Sequence, residues 1–190
     1  MPQNPERRSR ILDAAIGILA DVGVGGLTHR QVDDRAGLPA GTTSNYFRTR
    51  QALLEATAQR TVDLHWERVN ALQAAIGPIT PEALRALITR MLSDPDEQFR
   101  RNTLARFELF MEGTRRPELR PLLAELQKAA VKSATLIFDA AGLAPSPDQM
   151  DELSRLLNGY VFSELTIPSG LDGAGRARLV DRLLKAFFGI

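Results

Sequence analysis

The sequence predicts an all-α protein, and three features of it carry that expectation. Apolar residues recur at the i, i+3, i+4 spacing of helix faces, helix starts and stops are punctuated by capping residues, proline and glycine, and no segment alternates apolar and polar residues as a half-buried strand would. In the first segment Asn4 caps and Pro5 opens a helix whose face is Ile11, Ala14, Ala15, Ile18, Leu19 and Val22, and Gly23 ends it. After the GVGG turn, Thr28 and Gln31 form a TxxQ capping box that opens a helix of about two turns, ending near Ala36 and Gly37. Pro39 restrains Leu38 to an extended conformation and suits the first turn of another short helix running through GTTSNYF.

Thr49 caps a longer helix carrying Leu53, Leu54, Thr57, Ala58 and Val62, which is expected to continue to about Ile76. Such a length suits a connector between two domains. Thr80 and Pro81 start a helix to about Ser93. Asp94, Pro95 and Glu97 read as a box opening the next, to about Thr114. Pro117 starts a long helix ending at Gly142, and Ser146, Pro147 and Gln149 box another that carries Leu153, Leu156, Leu157, Tyr160 and Val161. The glycine-containing stretch around 168–175 reads as a loop before a last helix with Leu179, Leu183, Leu184, Phe187 and Phe188.

Composition bounds the function. The chain has 190 residues, of which 44% are hydrophobic and 25% charged, as expected of a globular protein with a sizeable core. With no cysteine it has no disulfide, no thiolate metal site and no cysteine nucleophile, which fits a reducing compartment. No apolar run reaches the ~18 residues of a membrane span and the N-terminal stretch is polar, so a cytoplasmic protein is expected. Net charge is only +1, with eight arginines against six acids in the first sixty residues. Arg7, Arg8, Arg10, Arg30, Arg48 and Arg50 nevertheless fall near helix starts, where phosphates also meet backbone donors.

The informative unit is GLTHRQVDDRAGLPAGTTSNYFRTRQALL, residues 26–54. Two short helices set at an angle by a glycine-containing turn present the second to a DNA major groove. Thr28 and Arg30 are placed for phosphate or base contact, with His29 beside them. Small residues Ala40, Gly41, Thr42, Thr43 and Ser44 permit close approach to base edges, while Tyr46, Arg48 and Arg50 would bracket the backbone and Phe47 belongs to the core. A plain three-helix bundle would show the same periodicity, but it gives no reason for small exposed residues beside Tyr46, Arg48 and Arg50.

Over residues 9–54 this stretch resembles the DNA-binding domain of the TetR family, whose pattern is roughly GxxxLTxRxIAxxAGVSxGTLYxYFxSKxxLL. The matches are GLT, Arg30, Ala36 with Gly37, Gly41 with Thr42, Tyr46 with Phe47, and Leu53 with Leu54. Pro39 replaces a capping serine, Thr43 and Ser44 replace a leucine–tyrosine pair, and Arg50 replaces a lysine. The resemblance implies a helix-turn-helix domain over residues 1–48, joined by a long helix to an effector-binding and dimerisation bundle within 49–190. It implies a ligand-responsive repressor that binds a near-palindromic double-stranded operator as a homodimer and is released by a mainly apolar small molecule. Phe107, Glu108, Phe110 and Met111 are the effector-site candidates, and Leu156, Tyr160, Leu183 and Phe187 the dimer-interface candidates; ordinary core packing would use the same residues.

An enzyme would have to use His65 with Asp63 and Glu67, or Glu108 and Glu112 one turn apart. Neither set converges, because i, i+2 neighbours on a helix point apart and no ExxH pairing accompanies the carboxylates. No GxSxG, phosphate-binding loop or dinucleotide fingerprint is present. No catalytic residue, metal site, cofactor or membrane partner is expected.

Overall fold

The computed structural model describes residues 4–93 and 97–190, all helical or irregular. Its helices are α1 (Pro5–Val22), α2 (His29–Ala36), α3 (Thr42–Tyr46), α4 (Arg50–Ala75), α5 (Pro81–Ser93), α6 (Glu97–Arg115), α7 (Arg120–Ala140), α8 (Pro147–Thr166) and α9 (Gly173–Phe188), with one-turn 3-10 helices at Val24–Gly26 and Pro117–Leu119. Asp94 and Pro95 of the box expected before α6 lie outside the described residues.

The capping residues account for most boundaries. Asn4 Oδ1 accepts from the Arg7 amide at 3.1 Å, and Thr49 Oγ1 and Thr80 Oγ1 do the same for Ala52 and Ala83. The Ser146–Gln149 box is reciprocal, each side chain meeting the other's backbone amide. At α2 only half of the expected box forms. Thr28 Oγ1 accepts from the Gln31 amide, but the Thr28 amide donates to Gly26 O because the 3-10 turn folds back beneath it.

Three expectations are corrected. Pro117 opens a single 3-10 turn, and α7 starts only at Arg120. Asp172 Oδ1 caps Gly175, so Gly173–Gly175 form the first turn of α9 instead of a loop. Pro39 and Ala40 precede α3 rather than opening it, since Gly41 (φ +87°) turns the chain through the left-handed region that a glycine enters without strain.

The described residues form two compact units, 4–66 with 97–127 and 67–93 with 128–190. This differs from the division at residue 48. In the first unit α6 lies along α1, and Ile11, Leu12, Ala15, Ile18 and Leu19 pack with Leu27, Val32, Phe47, Leu53, Leu54, Ala105, Leu109 and Leu119 in one core. Residues 97–127 therefore belong to the helix-turn-helix unit because α6 covers an apolar face of α1 that α2 and α3 are too short to bury. Asp21 ties the same helices at their edge, 2.7 Å from Arg35 and 2.8 Å from Arg101.

The second unit has its own core of Leu84, Ile88 and Leu92 on α5, Phe138 on α7, Met150 and Leu153 on α8, and Val180 and Leu184 on α9. The Ile79 amide donates to Ala140 O at 2.8 Å, pinning the approach to α5 against the end of α7. Arg176 of α9 reaches Glu164 of α8 at 3.2 Å. Among the described residues no helix is long and apolar enough to cross a membrane.

Candidate nucleic-acid interface

The helix-turn-helix is built by fixing a very short helix on a slightly longer one. Five residues cannot hold a helix by themselves, so α3 depends on its neighbours. Asp33 of α2 is 1% exposed and aims its carboxylate at the start of α3. One oxygen accepts from the Gly41 amide at 2.8 Å; the other accepts from the Thr43 amide at 2.7 Å and the Thr43 hydroxyl at 2.6 Å. At the far end His29 Nε2 lies 2.7 Å from Phe47 O, and since a carbonyl only accepts, Nε2 carries the proton and donates. Arg8 of α1 places its guanidinium 5.5 Å from the Phe47 ring centroid.

This geometry sorts the predicted contacts. Thr28, Arg30, Ala40, Gly41 and Arg48 are exposed, and Thr42, Ser44 and Tyr46 are half-buried. Arg30 is 90% exposed and lies 4.0 Å from Asp34, itself 71% exposed, a pairing weak enough to exchange for a phosphate. Thr42 and Ser44 donate their hydroxyls to Pro39 O and Gly41 O, leaving the lone pairs and the threonine methyl for a partner.

Three nominated residues are occupied elsewhere. Thr43 is fully buried with its hydroxyl on Asp33, so it is corrected from a base contact to part of the packing between α2 and α3. His29 holds the end of α3. Arg50 donates through Nε to Leu27 O at 2.9 Å and through Nη2 to Val24 O, clamping the turn that leads into α2. From the other side of that turn Glu108 of α6 accepts from the Val24 amide at 3.1 Å.

Two residues escaped the sequence reading. Asp33 is one of a charged pair in a polar stretch, and nothing in the helical period marks it as buried. Asn45 is exposed on α3 three residues after Thr42, and that i, i+3 spacing was a usable signal.

Arg50→Ala is expected to lower the unfolding free energy by about 1–2 kcal/mol, since hydrogen bonds from a charged donor hold the turn at the solvent edge. Arg50→Lys recovers less than half of this, because an ammonium lacks the fork that spans two carbonyls. Urea denaturation reads both, and the salt dependence of DNA binding stays as in the parent if Arg50 is a clamp.

The other candidate sites are equally concrete. On α6, Phe107 and Phe110 are half-buried, Met111 is 45% exposed and Glu108 is committed to Val24. Arg106 lies 5.5 Å from the Phe107 centroid, and burial holds its guanidinium below the usual arginine range. Glu112 is buried against Arg115 and Arg116, with Arg116 also reaching Gln51. The two α6 carboxylates thus face separate partners and form no acid/base pair. Asp63 accepts from Gln59 at 2.8 Å, and among the described residues no group of three or more His, Cys, Asp or Glu is placed to hold a metal. Leu156 is 50% exposed on α8, whereas Tyr160 and Phe187 pack partly against their own core and Leu183 is half-buried.

Residues 11–57 match the family model of bacterial regulatory proteins of the tetR family, and residues 79–187 match that of the tetracyclin repressor-like C-terminal domain. The chain belongs to the TetR family. That family is one of bacterial regulatory proteins, and the curated relatives that the chain matches are HTH-type transcriptional regulators rather than enzymes. The HTH-type transcriptional regulator BetI of Cronobacter sakazakii is 34% identical over 82 residues, covering 43% of this chain and 39% of that protein. The match thus spans well under half the length of this curated TetR-family relative. Two solved structures align almost throughout. The multidrug binding protein EbrR complexed with ethidium is 26% identical with a TM-score of 0.64, covering 95% of this chain and 99% of that one. A member of the TetR family from Streptomyces coelicolor A3 is 29% identical with a TM-score of 0.63, covering 94% and 98%.

Proposed function

We propose that the protein is a ligand-responsive repressor that binds a near-palindromic operator as a homodimer in the cytoplasm and is released by a mainly apolar small molecule. The observation that carries the DNA reading is the presentation of α3. It is held at both ends by α2, while Thr42, Asn45, Tyr46 and the flanking Arg30 and Arg48 remain open to a groove and its phosphates. One helix of five residues reads too few base pairs for a specific site, which favours a two-fold dimer on half-sites about 34–36 Å or a multiple apart. The apolar effector is supported by Phe107, Phe110 and Met111 on α6 and by the ethidium bound to the similar EbrR.

Selection from a random DNA pool, followed by titration over a range of salt, tests this reading. Saturable binding to a palindrome is expected, and its absence overturns the proposal. Arg30→Ala is expected to weaken binding and to reduce the slope of log K against log salt by about one if it meets a phosphate; an unchanged slope with relaxed preference at one base pair marks a base contact instead. A screened apolar ligand must lower operator affinity, because only differential binding to the two states releases DNA.

A further inference from the structure

The grip of α2 on α3 rests on two residues four apart. His29 and Asp33 lie one helical turn apart on one face of α2, about 6 Å along its axis, while the five residues of α3 rise over about 7 Å. The two lengths match, so one turn of α2 meets the beginning and the end of the recognition helix together. Asp33 takes the Gly41 and Thr43 amides and the Thr43 hydroxyl, and His29 takes the Phe47 carbonyl. Gly41 has no side chain to cap the helix it opens, and the carboxylate of Asp33 does this from another element. In the family pattern given above, the positions of Asp33 and Thr43 carry alanine and leucine, so both partners of this polar tether depart from it together.

Resting on the DNA-binding reading, we propose that Asp33, assisted by His29, is a positioning residue for base readout, fixing the pitch of α3 against α2 without touching DNA. A buried carboxylate with three donors within 2.8 Å has one arrangement that satisfies it, whereas apolar surfaces slide at little cost. The tether thus restricts α3 to the one tilt at which Thr42 and Asn45 address fixed base pairs. Contacts to phosphate from Arg30 and Arg48 depend far less on that tilt.

The test uses the full chain and the DNA that the parent protein selects. Asp33→Asn, which keeps the size but turns one acceptor into a donor facing an amide, is expected to reduce the preference for the selected site over scrambled DNA at least tenfold. The affinity for scrambled DNA and the salt slope stay within twofold. Unchanged preference overturns the proposal, and so does a parallel loss on both DNAs, which marks a role in stability alone. If Asp33→Asn does not fold, Thr43→Val, which removes one donor from the same carboxylate, is read by the same outcomes. Amide hydrogen exchange without DNA separates the two layers. Protected Gly41 and Thr43 amides that speed up at least tenfold in the variant support the tether, and amides that exchange freely in the parent overturn it. A parent protein that selects no DNA overturns the DNA reading instead.

Discussion

Leu156→Glu is expected to convert the proposed homodimer into a folded monomer that no longer distinguishes the proposed operator from other DNA. The side chain stands half exposed on α8, on the face that also carries Gly159 and Phe162, so its replacement leaves the core of Met150, Leu153, Val180 and Leu184 undisturbed. In a two-fold dimer built on this face the glutamates would be buried in apolar surroundings, which costs several kcal/mol per charge unless each finds a partner. A monomer reads one half-site, and operator affinity should fall at least about a thousandfold, the lower end of the range that separates specific from non-specific binding. Sedimentation and operator titration check the two halves of the prediction. A variant that remains dimeric removes Leu156 from the interface.

Leu109→Ala is expected to cost the helix-turn-helix unit about 3 kcal/mol, the range for truncating a fully buried leucine that leaves a cavity. Leu109 is 0% exposed and sits on α6 where that helix covers α1. For a unit of this size the melting temperature should drop by at least about 10 °C, and operator binding should be lost at the temperature where the variant unfolds. Leu109→Met, which conserves volume, should cost less than about 1.5 kcal/mol. Calorimetry compares the three proteins. An alanine variant as stable as the parent would mean that α6 is dispensable to the unit that presents α3.

The resting places of Arg50 and Glu108 show how much of the site the sequence exposed. Both are charged residues at helical surface positions, and a phosphate or a ligand was a natural destination for each. In the structure they hold the carbonyl and the amide of Val24 from α4 and α6. Sequence spacing orders residues within one helix but carries no signal for the backbone group of another element, and that is where both side chains go. The same holds for Thr43, whose small hydroxyl suited a base contact until Asp33, ten residues earlier, took it.

The sequence by itself determined the helical class, the caps at Asn4, Thr28, Thr49, Thr80 and Ser146, and the order of elements that makes residues 26–54 a helix-turn-helix. These are local properties, set by the period of apolar residues and by side chains that meet amides three positions away. Tertiary structure alone decided that α6 joins the DNA-binding unit, that Arg50, Glu108 and His29 are taken up by backbone groups of other elements, and that Asp33 anchors α3. Each of these depends on which distant backbone groups are left unsatisfied when the helices pack, and that need appears only once they are in place.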